Sequence, residues 1–181
     1  MALSSKEYWQ RLEEIGWLKY VPKADQEDLL ARIKKALRKP DPQFAYFCLT
    51  QYSFDGEGVF EDSYTHLIDD LSSISGGSFA PEKVKESVLK GERKISYRQN
   101  RKQYKWKTPA NTDYFDLDLL KMINQSLADA GVVQRFFELP TIDQCVYLVF
   151  VPIEVFQSAL DGGLILTQEE VDSLDEGEEE D

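Results

Sequence analysis

One histidine, His66, and two cysteines, Cys48 and Cys145, are all this chain has of the residues that dominate soft-metal binding and neutral-pH proton transfer. Three such side chains do not make a structural zinc site. Each cysteine lies among apolar neighbours, in FAYFCLTQY and in DQCVYLVFV, at the centre of an expected strand, so buried free thiols are expected. The chain also lacks an apolar run of about 18 residues, the minimum for a membrane-spanning helix. Its first residues, MALSSKEYWQ, have neither the basic nor the apolar region of a signal peptide, and a cytoplasmic protein is expected. A G-x-S-x-G nucleophile elbow, a Walker loop and a dinucleotide-binding glycine fingerprint are all missing. The expectation is therefore a non-enzymatic protein with no catalytic residue, cofactor or metal. Bases are scarce as well, 21 against 33 acids, and the net charge of -12 repels nucleic acid and anionic membrane alike. A basic protein is the natural complement.

What the chain does have is material for a core. Apolar residues make up 42% and aromatics 12%, which excludes wholesale disorder. Ser4 stands three residues before Glu7, the capping-box spacing, and Tyr8, Trp9, Leu12 and Ile15 share one side of the helix that follows. Asp25 is placed to cap a second helix with the stripe Leu29, Leu30, Ile33, Ala36 and Leu37, stopped by Pro40 and Pro42. Residues 44–52, aromatic and short, read as a strand. Tyr64, Leu67, Ile68, Leu71 and Ile74 mark a helix over 61–75 that ends at Gly76 and Gly77. His66 falls one position off that stripe, on the helix surface. Residues 79–89 carry no decisive pattern.

The runs 94–99 and 103–107 alternate about Asn100 and predict a β-hairpin with Tyr97, Tyr104 and Trp106 inward. Leu119, Leu120, Ile123 and Leu127 mark a further helix, closed by Gly131. Strands over 133–139 and 144–151 follow, the second apolar enough to be covered on both faces. Pro152 opens a last short helix that ends near Gly162 and Gly163. The class is α+β: a single domain over 1–166, with a mainly antiparallel sheet and two N-terminal helices packed against it. Residues 167–181, with nine acids and no base from Glu169 onward, are expected to be a mobile acidic tail.

Charge is sorted along the chain. From Lys90 to Lys107 there are eight bases and one acid, a local +7 that leaves -19 for the remainder. Three uses of this hairpin are open: a solvated face that deters edge pairing, a platform for single-stranded nucleic acid, or a contact with acidic protein surface, a partner's or the chain's own tail. The basic candidates are Arg93, Arg98, Arg101, Lys102, Tyr104 and Trp106. The opposite set, Asp55, Glu57, Glu61, Asp62, Asp69 and Asp70, lies in and after FDGEGVFED; Asp62 and Asp69, one heptad apart, fall near one another on a helix. Paired carboxylates of this kind also admit a carboxylate-dependent hydrolase or a hard-cation site, although turn and helix-start chemistry accounts for most of them.

The stretches FDGEGVFEDSYTHLIDDLS, DLDLLKMINQSLADAG and QRFFELPTIDQCVYLVFV, together with the small, acidic profile free of catalytic motifs, resemble those of the immunity proteins with which bacteria neutralise toxins. That resemblance implies a stoichiometric inhibitor whose acidic face occludes a basic partner such as a toxin, with charge steering the encounter. The segment ILTQEEVDSLDEG looks similar to the leading segment of flagellar motor switch proteins, which binds a response regulator; it is also what a threonine-capped acidic turn looks like.

Overall fold

A computed structural model describes residues 3–39, 42–60 and 63–175. The elements are α1 (Ser5–Glu14), α2 (Lys23–Ala36), β1 (Tyr52–Asp55), α3 (Ser63–Ile74), β2 (Glu82–Leu89), β3 (Glu92–Gln99) and β4 (Lys102–Pro109), followed by α4 (Leu119–Asp129), β5 (Gln134–Leu139), β6 (Cys145–Pro152), α5 (Ile153–Asp161) and α6 (Gln168–Asp175). Short 3₁₀ segments occupy Trp17–Tyr20 and Pro42–Leu49. The α+β class read from the sequence is the observed one. Its strands form two three-stranded sheets, ordered β1-β6-β5 and β2-β3-β4. Contacts divide the chain into two compact units, one of residues 1–54 and 137–181 and one of residues 55–136.

In the first unit α1 starts as the capping box requires: Glu7 N donates to Ser4 Oγ at 3.3 Å and Ser4 N donates to Glu7 Oε2 at 2.9 Å. The start of α2 differs from expectation. Pro22 is its N-cap and Asp25 lies inside the first turn, where its charge still complements the helix dipole. Tyr8 and Leu12 of α1 and Leu29 and Ile33 of α2 share a core with Leu139, Val149 and Val151. β6 is the middle strand of its sheet and is buried along nearly its whole length, as its unbroken apolar run predicts.

Residues 44–52 are not a strand. Pro42–Leu49 is 3₁₀-helical, and the extended stretch begins only at Tyr52. The cause is visible in the rings: Phe44 and Phe47 stack at 5.7 Å with an interplanar angle of 4°, which a three-residue repeat permits and a strand's alternation does not. Cys48 lies in this segment and Cys145 opens β6; both are free and half-buried. Burial pushes the Cys48 thiol up.

The segment expected as a mobile tail begins as a helix. Thr167 N donates to Glu170 Oε2 at 2.8 Å and Glu170 N to Thr167 Oγ1 at 3.3 Å, a second capping box, and Val171 is fully buried in the first unit's core. Residues 176–181 lie outside the described ones.

The second unit has two layers. α3 and α4 lie on one face of the antiparallel meander β2-β3-β4, which the structure extends from the expected hairpin by one strand.

Candidate binding surface

Two tight turns shape the meander. Lys90 and Gly91 have φ of 54° and 77°, and Asn100 and Arg101 have φ of 50° and 67°. Positive φ at both central residues gives the mirror-image turn whose twist matches that of the strands it joins. Gly91 and Asn100 suit this region; Lys90 and Arg101 are held in it.

Register then sorts the side chains, because cross-strand partners share a face and successive residues alternate. Glu86 pairs with Ile95 and Ile95 with Trp106, Val88 with Arg93 and Arg93 with Thr108, and Tyr97 with Tyr104: these form the face under the helices. Tyr97 and Tyr104 stack at 5.4 Å, Tyr97 OH donates to Ser126 Oγ at 2.9 Å, and Trp106 packs 5.6 Å from Tyr64. The other face presents Glu82, Lys85, Ser87 and Leu89 from β2, Glu92, Lys94, Ser96 and Arg98 from β3, and Gln103, Lys105, Lys107 and Pro109 from β4. All are exposed or half-exposed. Lys94 and Lys107 are directly opposite, and Glu92 bridges them at 3.4 and 3.1 Å; the hydrogen bond from Lys107, with Lys94 adding, holds its carboxyl below the usual range.

The basic set read from the sequence is thus split between faces. Arg93 is buried and ion-paired with Glu86, their side chains 6% and 2% exposed. Its Nη1 also donates to Phe60 O at 2.9 Å, and its guanidinium lies 5.6 Å from the Tyr64 ring. Glu86 Oε2 meanwhile accepts from Thr65 N at 3.1 Å, in the first turn of α3, where an anion is favoured. Tyr104 is buried, with its hydroxyl donating to Asp129 Oδ2 at 2.7 Å, and Lys102 pairs with the same carboxylate. Hydrogen bonds from Lys102, Tyr104 and Gln125 hold the Asp129 carboxyl down at about 2; desolvation and that acid push the Tyr104 phenol up to about 12. Arg98, outward on β3, and Arg101 and Lys102, in and just after the turn, remain at the surface.

The acidic set is dispersed as well. Asp55 Oδ1 accepts from Glu57 N at 3.0 Å, and Glu57 accepts from Tyr114 OH. Asp69 and Asp70 are exposed on α3, as is His66, while Glu61 and Asp62 lie outside the described residues. No three His, Cys, Asp or Glu side chains gather as a metal site among the described residues. What sequence reasoning missed is the outward row Lys85, Lys94, Lys105 and Lys107. Its signal was present: once Tyr97 is inward, alternation turns Lys94, Ser96 and Arg98 outward and Arg93 inward.

The chain matches no family model, no curated protein and no solved structure. Among the described residues no helix is long and apolar enough to cross a membrane.

Proposed function

We propose that the chain is a non-enzymatic protein-binding module that recognises an anionic segment of its partner with the outward face of β2-β3-β4. One observation carries the reading: five cations, Lys85, Lys94, Arg98, Lys105 and Lys107, share that face with two serines and two acids, Glu92, which bridges Lys94 and Lys107, and Glu82, which stands opposite Arg98. The same register counts against nucleic acid. Single strands are bound largely by stacking bases on aromatic rings, and here Tyr97, Tyr104 and Trp106 belong to the opposite face. The chain's overall charge of -12 also opposes a long polyanion.

The test is fluorescence anisotropy at low salt with a labelled glutamate-rich peptide and with labelled oligothymidine. Binding of the peptide, lost in Lys94→Glu and Lys105→Glu, supports the reading. Stronger, steeply salt-dependent binding of oligothymidine would transfer the face to nucleic acid, and binding of neither would discard it.

A second reading keeps the immunity-type inhibitor. The unit of residues 1–54 and 137–181 holds 20 of the 33 acids and 9 of the 21 bases, an anionic body suited to a basic partner such as a toxin. Retention of a labelled oligolysine by the intact chain, undiminished in Lys105→Glu, is its expected signature.

A further inference from the structure

Ser96 occupies the middle of the middle strand on the open face. Its register partners are Lys85 on β2 and Lys105 on β4, and its same-face neighbours along β3 are Lys94 and Arg98. Neighbouring strands lie about 5 Å apart and same-face residues about 7 Å apart along a strand. Four long cationic side chains can therefore converge over one hydroxyl. Lys94 is engaged by Glu92 at 3.4 Å, but among the described residues Lys85, Arg98 and Lys105 make no ion pair. Glu82 is the register partner of Arg98 beyond a β-bulge but forms no ion pair with it. Like charges this close on one sheet face oppose folding, in a chain with 33 acids available to relieve them.

We propose that this cross of four cations around Ser96 binds a phosphomonoester, carried as a phosphorylated side chain on an extended acidic segment of the partner. The proposal rests on the reading of this face as the recognition surface and adds the chemistry of its centre. A carboxylate brings one charge and two oxygens, too little for four cations and a hydroxyl donor. A phosphomonoester brings about -1.5 to -2 at neutral pH and three strong acceptor oxygens. Lysine ammoniums, compact and freely rotating, suit a tetrahedral anion that lacks the planar match arginine prefers. The face continues past the cross to Lys107 and to the exposed Leu89, so residues on either side of the phosphorylated one also find contacts. A free small phosphate would leave that extension unused.

The experiment compares three labelled peptides built of glutamate and serine, alike except at the central position: phosphoserine, glutamate or serine. Against the unmodified chain the phosphorylated peptide is expected to bind about tenfold more tightly than the glutamate one. Ser96→Ala and Lys105→Ala are expected to reduce that ratio to about threefold or less, whereas Lys107→Ala weakens both peptides and leaves the ratio intact. Equal binding of phosphoserine and glutamate peptides would overturn the phosphate assignment while the charged-face reading stands. A preference that survives Ser96→Ala and Lys105→Ala would place the phosphate elsewhere. Failure of all three peptides to bind at low salt would remove both proposals, and binding of phosphoinositide vesicles without peptide binding would assign the cross to a lipid headgroup instead.

Discussion

Replacing Glu86 by glutamine is the sharpest probe of the second unit. The substitution keeps the shape and an oxygen for Thr65 but removes the charge facing Arg93, and the two side chains are only 2% and 6% exposed. A buried guanidinium left without its carboxylate costs about 3–5 kcal/mol, a large part of the roughly 5–15 kcal/mol that holds a typical protein folded. At about 2–4 °C per kcal/mol for a chain of this size, the melting midpoint should fall by about 6–20 °C. The double variant Glu86→Leu with Arg93→Met should recover most of the loss, because it also removes Arg93 Nε, which is buried without a partner. It should remain about 1–2 kcal/mol short of the starting protein, since Thr65 N and Phe60 O each lose a partner. Thermal and urea unfolding followed by circular dichroism measure all three proteins. A single-variant cost under about 1 kcal/mol, or a double variant no better than the single, would refute the account of this pair as a buried charge held chiefly by its counter-charge.

Val171→Ala should destabilise the first unit by about 1–3 kcal/mol, measured by urea unfolding, because Val171 is fully buried in that core; no effect would return α6 to the solvated state expected of an acidic segment. Tyr97→Phe should cost about 1–2 kcal/mol through the lost hydrogen bond to Ser126, with little change in peptide binding, since Tyr97 belongs to the inner face. For Asp129 the folded carboxyl titrates at about 2, below the roughly 3.9 of an unfolded aspartate, so its contribution is complete above about pH 4 and fades as pH falls toward 2. Lys102→Ala should move the carboxyl resonance of Asp129 back toward the ordinary range in an NMR titration. Tyr104 has the opposite sign: its contribution is full below about pH 10 and is lost as pH rises through about 12, which absorbance at alkaline pH will follow.

Where apolar periodicity is strong, sequence and structure agree. The stripes of α3 and α4, the alternation of β3 and β4 and the unbroken apolar run of β6 each name their element because burial imposes the period. The disagreements share a different cause. Pro42–Leu49 is too short for the usual helix test, and its three-residue repeat becomes evident only when Phe44 and Phe47 are seen stacked. β2 is an edge strand whose inward positions include Glu86, so a charge sits where alternation would ask for an apolar residue. In α6 one buried valine is outnumbered by acids, and composition hides it. The basic surface failed for a related reason: counting charge along residues 90–107 ignores which way each side chain points. Arg93 and Lys94 are neighbours in sequence, yet one is buried against Glu86 and the other lies in the open.

The meander keeps its helices on one side only, and this separates two kinds of selection. Exchanges at Lys85, Ser87, Lys94, Ser96, Lys105 or Lys107 fall on positions whose removal from water contributes little, where substitutions typically change stability by no more than about 0.5 kcal/mol. A lineage can therefore retarget this surface, reversing or thinning its charges one residue at a time, while the hydrophobic layer behind it goes on folding unchanged.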